Sequence, residues 1–246
     1  GQTPLIVNAR TGDPAIARLL LSRGGHADAA TRAGVTALAL AARHGHRELV
    51  EILIRAGSAA TGALLMTAAA EAQMDTLLAL LKAGGGLIDT DVLGSALLAA
   101  AAAGHRAVVT VLVNAGASVF KQDAAGLSPL MIAAAKGHVD AVRALLKASA
   151  PVNAPGGPGG NTALSLAVRN GRAAVVAELL RHGANAEWRG ARQPAATAHG
   201  ETSQGPSAGR PGEAVIDLLD LAHDAQVKAQ IVAERQRRRL ERELLS

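Results

Sequence analysis

The chain has 246 residues, of which 49% are hydrophobic, yet it holds one phenylalanine, one tryptophan, no tyrosine and no cysteine. Disulfide staples and thiolate chemistry are thereby excluded, the redox compartment is left open, and any core must be built from alanine, leucine and valine. The net charge of +5, with arginine outnumbering lysine 20 to 5, is that of a mixed, solvated surface rather than of a dedicated polyanion binder.

In chain order, short helices are expected in pairs. Thr3-Pro4-Leu5 opens the first pair, with helices around 3–10 and 14–22. Thr36-Ala37-Leu38 opens the second, which ends in the amphipathic run Glu48-Leu49-Val50-Glu51-Ile52-Leu53-Ile54. Ala63-Leu64-Leu65 is a weaker third start. The stretch from Gly57 to Leu65 is six residues shorter than that from Gly24 to Leu38, so the connection there is truncated or missing. A glycine-rich turn follows at Gly84-Gly85-Gly86, and Ser95-Ala96-Leu97, Ser128-Pro129-Leu130 and Thr162-Ala163-Leu164 open the remaining pairs. Serine and threonine suit the capping position, and proline at the first helical position loses no bond the helix would have made. In the fifth pair Val139, Val142, Leu145 and Leu146 follow the 3.6-residue period. Helices this short are not stable alone, so each pair needs neighbours.

The pairs repeat. The inter-helix position is Gly12, Gly45, Ala72, Gly104, Gly137 and Gly171, at intervals of 33, 27, 32, 33 and 34. The closing turn is Arg23-Gly24, Ala56-Gly57, Ala83-Gly84, Ala115-Gly116, Ala148-Ser149 and His182-Gly183. A period near 33 with a Thr-Pro-Leu opening resembles the ankyrin repeat, a β-turn finger followed by two antiparallel helices. The resemblance covers residues 1–186 in six copies and implies an all-α ankyrin-repeat solenoid with short fingers. Three departures stand out. The family's histidine after Thr-Pro-Leu is replaced by Ile6, Ala39, Met66, Leu98, Met131 and Ser165, so cohesion between repeats is expected to rest more on apolar packing. Ser149 stands where the other turns have glycine. The sixth finger, 155–160, is rich in proline and glycine, cannot pair as a regular strand, and is expected to have a mobile tip.

After Ala186 the pattern degrades. Residues 193–200 read as a worn opening helix, 200–212 as a Gly/Pro/Ser loop, and 213–219 as a second helix, so 187–222 is expected to be a degenerate capping repeat. Trp188 is expected to pack at that junction. Residues 223–246 read as a charged C-terminal helix, in which Glu234 and Arg238, Arg237 and Glu241, and Arg239 and Glu243 stand four apart. Its apolar pairs, Val227 with Ile231 and Leu240 with Leu244, are too broken a stripe for a coiled coil.

No constellation for catalysis or metal binding emerges. The glycine-rich turns lack the lysine and hydroxyl of a phosphate loop. His46, His105 and His138 occupy one position per repeat, and stacked helices lie about 8–10 Å apart, too far for a shared metal. They read as structural. No catalytic residue, cofactor or metal is expected, no uninterrupted apolar stretch spans a bilayer, and the reading is a non-enzymatic, protein-binding scaffold. The resemblance implies a concave face lined by first helices and fingers. There the candidate partner-binding residues are Arg10, Thr11, Arg43, His44, Glu71, Lys136, Arg169 and Asn170. Two alternatives are an accessory subunit packing through its edge or C-terminal helix, and recruitment to nucleic acid or an anionic membrane surface through Arg235, Arg238, Arg239 and Arg242. Nucleic acid and membrane are the less favoured partners. The Ala/Gly/Arg-rich usage suggests GC-rich coding and a bacterial source. The chain starts at Gly1 inside a finger, so the natural protein is expected to extend upstream. A cytoplasmic place is favoured, with periplasmic or secreted ones left open by that start.

Overall fold

Five of the first helices begin where the sequence supplies an oxygen for their unbonded N–H groups. In the computed structural model, which describes residues 3–58, 60–157, 159–187, 189–191, 215–217, 222 and 224–244, Thr3 caps α1 (Pro4–Thr11) and Thr36 caps α3 (Ala37–Arg43). Ser128 caps α9 (Pro129–Lys136), and Thr162 caps α11 (Ala163–Arg169), where Ser165 returns the bond in a reciprocal box. The partner helices are α2 (Pro14–Ser22), α4 (Arg47–Arg55), α10 (Val139–Lys147) and α12 (Ala173–Arg181). Between these groups lie α5 (Ala60–Ala70) with α6 (Met74–Gly84), and α7 (Thr90–Ala103) with α8 (Arg106–Asn114); α13 (Ala225–Leu244) closes the order.

Two starts differ from expectation. The fourth pair opens at Thr90 rather than at Ser95, because Asp89 accepts the N–H of Asp91 and caps a 14-residue helix. The third opens at Ala60, directly after α4, so no finger separates the second and third pairs. A single 3-10 turn, Gly85–Leu87, stands where the next finger would be.

The chain divides into two compact units, Gly1–Lys121 and Gln122–Ser246. In the first, α1 packs on α3, α2 on α4, α4 on α6 and α5 on α7. Where the finger is missing, α3 meets the third pair more through α6 than through α5. Its core is aliphatic, with Ile6, Leu38, Leu49, Leu53, Leu65, Leu77, Leu80, Leu97 and Leu112 fully buried among alanines such as Ala9, Ala41 and Ala100. In the second unit α9 packs on α11, α10 on α12, and α12 on α13, around Leu130, Met131, Leu145 and Leu179.

Polar ties between repeats are present beside the apolar packing, although the family's histidine is missing. They come from the residue after the inter-helix glycine. His46 Nε2 lies 3.1 Å from the Arg10 carbonyl oxygen, and His105 Nε2 2.9 Å from that of Ala70. In the second unit Arg172 Nε donates to the Ala135 carbonyl at 3.3 Å. Each reaches the C-terminal end of the preceding first helix, where carbonyls lack helical partners. The structural reading of His46 and His105 is thus the observed one.

The sixth finger is less free than its composition suggests. Gly156 forms a one-residue bridge with Asn161, and Gly157 N donates to the Gly126 oxygen of the preceding finger at 3.0 Å. Val215–Asp217, expected within a helix, is instead a short strand antiparallel to Arg189–Ala191. Backbone pairing across the intervening stretch replaces the helical bonds that the Val215-Ile216-Asp217 pattern suggested. Trp188, the worn helix 193–200 and the loop 200–212 lie outside the described residues.

Candidate functional site

The last turns of α1 and α3 carry Arg10 and Arg43, both exposed. Between them stands a finger whose ends are joined by the Ala30–Thr36 bridge and whose tip is tightened by the Val35 N–H donating to Thr31 Oγ1 at 3.1 Å. These parts enclose a surface hollow of about 430 Å3, lined by Arg10, Thr31, Arg32, Ala33, Val35, Leu40 and Arg43. Its lining holds three arginines and no acidic residue. Arg32 was not among the residues singled out from the sequence. Its signal was only its place two residues before the finger-tip glycine, Gly34.

The other predicted residues of this unit do not line that hollow. Thr11 is turned back on its own helix, its Oγ1 donating to the Asn8 carbonyl at 3.1 Å. The His44 ring stacks on His46 with centroids 5.9 Å apart. Glu71 accepts a hydrogen bond from Gln73 Nε2, two residues on, and stays exposed.

A second hollow, of about 320 Å3, lies where the finger is absent. Ile54, Ser58, Thr61, Gly62, Leu87, Ile88, Asp89 and Val92 line it. Leu87 is 50% exposed there, a large apolar side chain at the surface. On the second-helix side of the same unit, a third hollow is bounded by Arg18, Glu48, Glu51, Ile52 and Arg55. Its charges are already matched: Arg18 meets Glu48 at 2.7 Å and Arg55 meets Glu51 at 2.6 Å.

In the second unit Lys136 and Arg169 hold the equivalent last-turn positions of α9 and α11. Lys136 is exposed, whereas Arg169 is half-buried and donates to Asn161 Oδ1 at 3.5 Å. Asn170 Nδ2 closes the end of α11 by donating to the Leu166 carbonyl at 2.7 Å. Unforeseen from the sequence is Glu178, a buried carboxylate on α12 contacted by Arg143, Arg181 and His182. The hydrogen bond from Arg143 holds its carboxyl below the usual range, burial opposes that, and the charges of Arg143, Arg181 and His182 add to the lowering.

The tail is anchored. Arg235 Nε donates to the Ala186 carbonyl at 2.9 Å, Arg238 to that of Ala184 at 2.7 Å, and Arg242 meets Glu187 at 2.7 Å. Only Arg239 of the four predicted tail contacts points away, paired to Glu243 at 2.9 Å along its own helix. Val227 and Ile231 are fully buried while Leu240 and Leu244 are exposed. Among the described residues there is no cluster suited to a metal ion and no helix long and apolar enough to cross a membrane.

A family model described as ankyrin repeats (3 copies) matches residues 1–63 and 97–189. A curated relative, the ankyrin repeat and KH domain-containing protein mask-1 of Caenorhabditis elegans, is 32% identical over 180 residues. That alignment takes in 71% of this chain but only 7% of the nematode protein. Among solved structures, the Bcl-3 ankyrin repeat domain superposes with a TM-score of 0.68 at 24% identity, over 94% of this chain and 99% of the other. Human ASB11 gives 0.60 at 23% identity, over 95% and 98%. An ankyrin repeat domain from Acinetobacter baumannii gives 0.55 at 29% identity, over 74% and 98%. Animal and bacterial chains are both represented, so the likeness favours neither source.

Proposed function

Because the chain belongs to the ankyrin-repeat family, whose repeats are general protein–protein interaction modules and are typically not enzymes, we propose that it is a non-enzymatic scaffold holding a protein partner on the side of its first helices and fingers. Arg10 and Arg43 in one unit, and Lys136 and Arg169 in the other, are the residues proposed to meet the partner. One observation carries the reading: on the first unit's finger side Arg10, Arg32 and Arg43 surround an apolar-floored hollow without a carboxylate, whereas the second-helix side is charge-balanced. Unmatched charge beside apolar surface suits an interface with a polar rim and a dry centre. The hollow left by the missing finger offers room for a further bulky element of the partner.

A photo-crosslinking amino acid placed singly at Arg10, Arg43, Lys136 and Arg169, and at Glu51 and Asp140 as controls on the second helices, tests this in native lysate. Adducts to one protein are expected from the first four positions and not from the controls. The reverse pattern would remove the reading.

The second reading, an accessory subunit docking through its C-terminal helix, is favoured by Leu240 and Leu244, 60% and 86% exposed. Recruitment of nucleic acid or membrane by the tail is disfavoured, since Arg235, Arg238 and Arg242 are engaged within the chain.

A further inference from the structure

We propose that the hollow bounded by Arg10, Arg32 and Arg43 is a clamp for an acidic peptide segment that inserts one aliphatic or aromatic side chain between its carboxylates. This deepens the finger-side reading above and rests on it. The three arginines come from three elements, the last turn of α1, the finger tip and the last turn of α3, and converge on one hollow. None forms an ion pair among the described residues. By contrast Arg18 has a glutamate partner in the next repeat, Glu48, and Arg55 has one on its own helix, Glu51. Guanidinium groups present a planar fork of donors that a carboxylate satisfies bidentately, so the chemistry missing here is that of Asp and Glu side chains. The floor is apolar and half-buried, formed by Val35 and Leu40, and asks for a hydrocarbon or aromatic side chain between the charges. At about 430 Å3 the hollow falls within the size range of ligand sites.

The clamp is also preset. His46 holds the carbonyl of Arg10, and the Thr31–Val35 bonds hold the finger tip that bears Arg32. Single-stranded nucleic acid would offer phosphates to the arginines, but its sites combine a basic groove along the backbone with aromatic rings on which the bases stack. No aromatic residue lines the hollow, and the chain has only one phenylalanine and one tryptophan. A peptide therefore fits the lining better.

The test is fluorescence polarisation of the full chain with a labelled peptide, Asp-Glu-Asp-Leu-Phe-Asp-Glu-Asp. Its Asn/Gln twin and an oligouridylate of equal charge serve as comparisons. Saturable binding of the acidic peptide is expected, at least tenfold tighter than either comparison. Arg10→Glu with Arg43→Glu should weaken it tenfold or more, Arg32→Glu should weaken it severalfold, and Arg18→Glu with Arg55→Glu should leave it unchanged. Where a reversal disturbs folding, judged by circular dichroism, Arg10→Gln with Arg43→Gln replaces it and should still weaken binding. Absence of saturable peptide binding, equal loss in the Arg18/Arg55 variant, or equally tight oligouridylate overturns the clamp. Crosslinks from Arg10 and Arg43 without peptide binding would leave the binding face standing and remove only the acidic-peptide class. Absence of both would remove the two together.

Discussion

The imidazole Nε2 of His46 lies 3.1 Å from the carbonyl oxygen of Arg10, 36 positions earlier in the chain. That contact requires a vacancy at Gly12, where an added Cβ would stand 2.4 Å from the ring Nδ1. Gly12 also has φ +80, and so does its job twice, as a left-handed turn and as clearance for the neighbouring repeat's histidine.

Gly12→Ala is therefore expected to destabilise more than Gly45→Ala, by about 1 kcal/mol. Both positions are left-handed, at φ +80 and +74, but Gly45 has open space around its missing Cβ. The excess should vanish when His46 is also alanine, since the clash and the bond are then both gone. Chemical denaturation of the four variants measures it, and an excess that persists without His46 would assign the cost to the backbone alone.

Ser149 has φ +61 and Ala72 φ +54, both in the region that glycine enters without a Cβ penalty. Ser149→Gly and Ala72→Gly should each stabilise by about 0.5–1 kcal/mol, the gain being reduced by the extra freedom of glycine in the unfolded chain. A higher melting temperature in each variant is the expected result. A fall at Ser149 would mean that its side chain makes a contact worth more than the strain.

Arg143 NH2 stands 3.2 Å from Glu178 Oε2, joining α10 to α12. Since the folded state lowers the Glu178 pKa, its contribution is complete above the ordinary carboxylate range and is lost as pH falls through and below that range. Glu178→Gln should cost roughly 1–3 kcal/mol at neutral pH, as for hydrogen bonds to charged groups. The gap between wild type and variant should narrow as the pH is lowered from 7 towards 3. Thermal melts across that interval test it, and a constant gap would show that the carboxylate's charge is not what matters. Glu187, also held low by Arg242, would add an acid-labile contribution common to both proteins.

Leu130 and Leu145 are 1% and 0% exposed, on the first and second helices of one repeat. Truncating either to alanine should cost about 2–5 kcal/mol, because the neighbours cannot fully close the space. Ile132, half-buried on the same helix as Leu130, should cost distinctly less. Equal losses at all three, by denaturant titration, would contradict this assignment of helix faces.

What could be read in advance was whatever is local. Thr3, Thr36, Ser128 and Thr162 were recognisable as caps because the bond they accept lies three residues away. Ser149 was recognisable as a left-handed residue from the glycines at its equivalents, of which Gly24, Gly57, Gly116 and Gly183 are left-handed while Gly84 ends α6 in the right-handed region. The start of α7 was missed because Asp89 and Ser95 both offer capping chemistry, and only packing decides between them. The repeating histidine position was visible, but not its target, since a carbonyl some 36 residues away leaves no mark on the spacing. Arg32 was missed for the same reason: an exposed finger arginine gains meaning only beside Arg10 and Arg43. Val215–Asp217 was misread because three residues of strand depend on a partner at Arg189–Ala191 that no short-range pattern announces.

The docking of α13 has a consequence for anyone wishing to lengthen the array. Arg235 and Arg238 occupy the carbonyls of Ala186 and Ala184, at the edge where an additional helix pair would be grafted. A designed repeat spliced in after Glu187 must first evict this helix, breaking the Arg242–Glu187 pair and uncovering Val227 and Ile231. Extension should therefore succeed only in variants that delete α13 or move it beyond the new terminal pair, where it can seal the new edge.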